Sequence, residues 1–131
     1  MIFGSMNAAA SGLTAERLRM DVIAQNLANV DTTVTPQGGP YRREMVVFEP
    51  MPLTATQPGG VEVAAVVGDP TPFPLRYDPG APGANAQGVV RMPNVNVTAE
   101  MVDLLAASRA YDASATAFSD FVKEGRKALQ L

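Results

Sequence analysis

The chain has 131 residues, a net charge of −3 and neither cysteine nor histidine. That inventory excludes disulfides and thiolate metal sites, and removes both the side chain that most often does acid–base work near neutral pH and the commonest zinc ligand. The charge leaves no basic footprint for nucleic acid, and the length suits one domain.

All eleven prolines fall between Pro36 and Pro93. Proline removes a backbone donor and clashes inside a helix, so the two ends are free to form long helices and the middle is not. Three segments are expected: an N-terminal helical arm over 1–30, a β-rich, loop-rich unit over 31–97, and a C-terminal helical arm over 98–131.

The first arm is predicted as helix over residues 2–30. Met6, Leu13, Met20 and Leu27 recur every seven residues, and Ala9, Ile23 and Val30 follow three positions later in three of the four repeats. Such a seam asks for another helix, although an ordinary amphipathic helix on its own domain fits the pattern equally. Ala8, Ala10, Ser11 and Ala15 are expected on the exposed side. Gly4 and Gly12 weaken the first turns. Asn26 and Asn29 flank the expected end, since Asn tolerates the conformation that closes helices.

In the middle, residues 41–49 and 61–67 read as strands, with Val61, Val63, Ala65 and Val67 on one face by alternation. Residues 71–77 are extended but proline-bearing, 78–83 form a rigid loop, and 88–92 form a short last strand. Asp69, Asp78 and Glu49 read as solvated turn residues in preference to an acid–base pair.

Thr98 is the expected N-cap of the second arm, with Glu100 placed favourably in its first turn. The helix should run to about residue 128. Met101, Leu104, Tyr111, Ala115, Phe118, Val122 and Leu129 share a seam, interrupted by Ser108 and Gly125. The fold class is therefore α+β: two long terminal helices packed as an antiparallel-type coiled-coil pair, with a small Pro/Gly-rich β unit between them. Met6, Leu13, Met20 and Leu27 are expected to meet Met101, Leu104, Tyr111, Phe118 and Val122 within one subunit, leaving the outer faces for neighbours.

No phosphate loop or dinucleotide fingerprint occurs. Asn96-Val97-Thr98 has glycosylation-acceptor spacing, but a helix cap explains it better. The first residues lack a positive stretch followed by an apolar run, so no cleaved secretory signal is expected. No stretch approaches the roughly 20 apolar residues of a membrane helix.

Residues 11–33, with the kernel Asn26-Leu27-Ala28-Asn29 followed by Thr32, resemble the N-terminal signature of bacterial flagellar rod, hook and hook-associated proteins. Gly39-Pro40-Tyr41-Arg42-Arg43, Asp78-Pro79-Gly80, the string from Gly88 through Pro93, Asn94 and Asn96 to Val97, then Glu100-Met101-Val102-Asp103 and Ala107-Ser108-Arg109-Ala110-Tyr111 continue the resemblance to proximal-rod members of that family. Asp112-Ala113-Ser114 stands where relatives usually have Gln or Glu, Ala, Asn, and Ala81 where His is common. The resemblance implies a structural protein without catalysis or cofactors. It implies helical stacking with itself and other rod proteins into a torque-transmitting shaft, terminal helices lining an export channel, and the middle unit further out. It also implies contact with the basal-body base and MS ring, export by the flagellar type III apparatus without a cleaved signal, and a periplasmic location. A small carboxylate-dependent cell-wall hydrolase and an export adaptor or chaperone are the competing readings.

Overall fold

A computed structural model describes residues 2–57 and 59–130. Helix α1 spans Ile2–Ala28 and helix α2 spans Val97–Leu129. Between them lie β1 (Glu44–Pro50), β2 (Val61–Gly68), β3 (Leu75–Tyr77) and β4 (Val89–Arg91). The strands form two separate antiparallel ribbons, β1–β2 and β3–β4. This is the expected α+β arrangement of two long helices around a small β region.

The helices run antiparallel. Gly12 faces Ser114 part-way along α1, and Asn26 reaches Glu100 near its C-terminal end. Along α2, Glu100, Leu104, Ala107, Tyr111, Ser114, Phe118, Phe121 and Gly125 follow in alternating steps of four and three. All are buried or half-buried, which is the rhythm of a coiled-coil seam. On α1 the deepest positions are Ala15, Val22, Ile23 and Asn26.

That stripe corrects the expected orientation of α1. Of the small residues expected on the exposed side, Ala15 lies inside the fold and Ala8, Ala10 and Ser11 are half-buried. Ala15 is 2% exposed. A methyl group on Gly12 would come within 2.7 Å of the Ser114 hydroxyl. On the neighbouring face Gly60, at φ +102°, brings β2 so close that a Cβ there would lie 3.1 Å from Ala8 Cα. Ser11 fixes this approach: its hydroxyl accepts from the Val61 amide at 3.1 Å and donates to the Ala8 carbonyl at 2.6 Å. Small side chains let α1 touch a helix on one side and a strand on the other. Met6, Leu13, Met20 and Leu27 are half-buried on the flank of this interior stripe.

Three further boundaries differ from expectation. β1 begins at Glu44, because the backbone of Tyr41 and Arg43 is committed elsewhere: the Tyr41 amide to the Thr32 carbonyl, and the Arg43 amide to Asn94. The N-cap of α2 is Asn96, not Thr98; its side-chain oxygen accepts from the Ala99 amide at 3.0 Å. Finally, the face of β2 is not continuous. Val47 pairs with Ala65 and Phe48 with Val63, so Ala64 is an extra residue. This bulge re-aims the strand. Val61 and Val63 are half-buried beside Ser11, Ala15 and Leu18, whereas Ala65 and Val67 are exposed.

Candidate functional site: a polar clamp and exposed apolar faces

The deepest polar side chain is Asn26, fully buried near the end of α1. All four of its hydrogen-bonding capacities are used. Its amide nitrogen donates to the Glu44 carbonyl at 2.9 Å and to Glu100 at 3.3 Å. Its oxygen accepts from the Tyr41 hydroxyl at 2.8 Å and from the Glu44 amide at 3.0 Å. One residue thus ties α1 to the start of β1 and to the first turn of α2.

Arg43 is the second hub. Its Nε donates to Glu100, Nη1 to Asp69 at 3.0 Å, and Nη2 reaches Asp103 at 3.5 Å. Its amide donates to Asn94 at 2.7 Å, and its carbonyl accepts from the Asp69 amide at 2.8 Å. Asn94 in turn donates to the carbonyls of Asp69 and Thr71. Glu100 is 1% exposed, so it does not act as a solvated first-turn carboxylate. Among the described residues no buried side-chain polar atom lacks a partner.

The electrostatics follow from this geometry. Burial alone would lower the Arg43 pKa, but hydrogen bonding to Glu100, its charge, and Asp69 outweigh it and hold the guanidinium raised. Thr71 holds Asp69 below the usual carboxylate value by donating its hydroxyl and its amide, with Arg43 adding to the effect. Burial, then the charges of Glu44 and Glu100, push the Tyr41 hydroxyl upward. Asp69, whose oxygens are occupied by donors, is suited to holding a turn and not to accepting a substrate proton.

The signature residues divide between this clamp and the surface. Asn26, Asn94 and Glu100 belong to the clamp, Asn96 caps α2, and Asn29 closes α1 by donating to the Gln25 carbonyl and accepting from Thr32. Pro93 is buried, Leu27 and Tyr111 are half-buried, and Ala28 and Arg109 are exposed. Of the expected packing residues, Leu104, Tyr111, Phe118 and Val122 lie on the buried side of α2, with Ile23 opposite on α1. Met101 and Leu129 do not join that seam, at 48% and 87% exposed. Met101 directly follows Glu100 and so projects about 100° further round the helix; the side facing α1 takes the carboxylate and leaves the thioether outside. Sequence reasoning missed Arg43 and Asp69 as a hub. The only local signal was the Arg42-Arg43 pair just ahead of the apolar run from Met45 to Phe48.

Val97, Met101, Val102 and Leu105 make an apolar patch on the solvent side of the first turns of α2. Val47 and Val67 expose a second patch on the β1–β2 ribbon, and Phe3 stands out near the start of α1. Scattered exposed apolar residues are ordinary; a contiguous stripe of large ones marks an interaction surface.

Residues 6–34 match the family model described as flagella basal body rod protein, and residues 86–121 match the C-terminal model of the flagellar basal body rod FlgEFG proteins. The chain is thus of the flagellar rod class at both ends. It is 42% identical to the flagellar basal-body rod protein FlgC of Borreliella burgdorferi over 99% of this chain and 97% of that one. Identity is 41% to the protein of that name in Bacillus subtilis, over 98% and 97%, and 47% to that of Yersinia enterocolitica, over 81% and 79%. The chain belongs to the FlgC family of flagellar basal-body rod proteins. These relatives are named as rod proteins, not as enzymes.

Proposed function

We propose that this chain is a structural subunit of the proximal rod of the flagellar basal body. In this reading it stacks helically with itself and related rod proteins, its helix pair forming the inner layer around the export channel and its β unit lying outside. The subunit reaches the periplasm through the flagellar type III apparatus and contacts the basal-body base and MS ring. The observation that carries the reading is the apolar stripe of Val97, Met101, Val102 and Leu105 on a helix whose opposite side is already satisfied by α1. A subunit of an obligate assembly carries such a surplus; a catalytic domain would instead concentrate convergent polar groups in a cleft. Among the described residues no helix is long and apolar enough to cross a membrane.

Leu105→Asp, expressed in a strain lacking its own copy, tests this. Leu105 is 62% exposed, so the variant should fold as the parent does. It should be absent from isolated basal bodies, and the cells should not swim. Normal swimming with the variant incorporated would refute the reading.

A further inference from the structure

We infer that the outer face of α1 in one copy of this chain packs antiparallel against the outer face of α2 in the next, with Arg17 opposite Asp112 and Asp21 opposite Arg109. The inference rests on the proposed assembly and names a contact within it. It concerns assembled copies and sets no condition on the arms of the free chain. Both helices carry a second stripe on the side away from their own pairing. On α1 it runs from Phe3 to Ala28 in alternating steps of four and three, and every position is exposed except the half-buried Ala10. On α2 it runs from Thr98 to Arg126 in the same rhythm and is exposed throughout. That rhythm is the one a coiled-coil partner needs, and the side chains on it select the partner. Here α2 presents large apolar side chains, Val102 at 59% and Leu105 at 62% exposed, followed by Arg109 and Asp112. The stripe on α1 presents small ones, Ala24 and Ala28, preceded by Arg17 and Asp21. Among the described residues, none of these four charged side chains has an ion pair within the chain.

Laid antiparallel with the stripes matched, one register sets Leu105 against Ala24 and Val102 against Ala28 while closing both charge pairs. Large side chains then fill the room left by small ones, and opposite charges meet. Sliding one copy by a heptad destroys the match. In one direction Arg17 and Asp21 fall on Leu105 and Val102; in the other, Ala24 and Ala28 fall on Asp112 and Arg109. Either way charges are covered without a partner, which is unfavourable. The occupant is a second copy, because the complement of each stripe is the stripe on this chain's other helix. Since α1 and α2 are antiparallel within the chain, a displaced copy brings its α2 antiparallel to the first copy's α1. Such a head-to-tail contact is not self-closing and propagates into a helical array. Within the chain Gly12 lies opposite Ser114, and Asn26 opposite Glu100. The register between copies is displaced from that one by about 3.5 residues, an axial step of about 5 Å from copy to copy.

Site-directed cross-linking reads the register, because the chain has no cysteine of its own. Cells lacking the native copy make two forms of the full chain together, Ala24→Cys and Leu105→Cys, and their isolated basal bodies are treated with a short bismaleimide. A covalent dimer of the chain is expected. Ala24→Cys made together with Ser119→Cys, two heptads further along α2, should give at least about tenfold less dimer. Charge exchange is the second arm. Arg17→Asp alone and Asp112→Arg alone should each lower the amount of chain in basal bodies at least about threefold, by setting like charges face to face. The two changes in one chain should restore it to within about 1.5-fold of the parent. No dimer from the first pair, as much dimer through Ser119 as through Leu105, or a double exchange no better than the single ones overturns the inference. If either cysteine form is left out of the basal body, the charge exchange decides alone. Where any of these results comes with Leu105→Asp still excluded from basal bodies, the proposed function stands and only this register falls.

Discussion

Asn26→Ala is the most informative single perturbation of the clamp. The side chain makes four hydrogen bonds, to the Glu44 carbonyl and amide, the Tyr41 hydroxyl and Glu100, with no exposure to water. Alanine removes all four and leaves four groups short of partners. At about 1 kcal/mol net for each neutral bond, the loss is about 3–4 kcal/mol. Single domains hold a total of about 5–15 kcal/mol, so the variant should still fold, with a melting temperature lower by about 10–15 °C. Asn29→Ala is the control. That residue also makes two side-chain hydrogen bonds, but near the surface and only to Gln25 and Thr32. Its loss should cost under about 1 kcal/mol. Thermal unfolding followed by far-UV circular dichroism reads both. Equal, small shifts for the two variants would refute the claim that Asn26 is the tie between helices and strand.

Three other outcomes follow from the geometry. Gly12→Leu should drive the helices apart and cost about 1–3 kcal/mol, whereas Gly12→Ala combined with Ser114→Ala should gain up to about 1 kcal/mol from helix propensity; urea unfolding that ranks them otherwise contradicts the close approach seen at Ser114. Asn96→Ala should destabilise by about 1 kcal/mol and Thr98→Ala by clearly less, since only Asn96 caps α2, and the same melts decide it. Asp69 has its pKa held below 3.8, chiefly by Thr71, so its contribution is fully present above that value and is lost as pH falls below it. Asp69→Asn should therefore narrow the stability difference between about pH 7 and about pH 3 in urea titrations, and an unchanged difference would count against the assignment.

The helices were legible because proline is absent from both ends and apolar residues recur at helical spacing. The face of α1 was not. Large residues such as Met6 and Leu13 draw the eye to their own stripe, yet Gly12 and Ala15 hold the interior, because two elements must approach α1 closely. Periodicity reports that a helix has faces; backbone approach decides which face is inside. The bulge at Ala64 escaped notice for a related reason, since strict alternation from Val61 to Val67 is the simplest strand and nothing local marks the extra residue. Asn26 and Glu100 were visible as parts of recognisable strings, but their pairing was not, because 74 residues separate them. Non-local polar closure cannot be read from spacing. The exposure of Met101 is the counterpart of the burial of Glu100: hydrophobicity placed the methionine in the seam, and the Arg43 cation just ahead of β1 put the glutamate there instead.

Locating this chain by image reconstruction of an isolated basal body tests the central claim most directly. The account predicts that α1 and α2 form the layer lining the channel, with the β1–β2 and β3–β4 ribbons outside and with Met101, Val102 and Leu105 covered by a neighbouring subunit. A rod in which those three residues face open solvent, or from which this chain is missing, would contradict it.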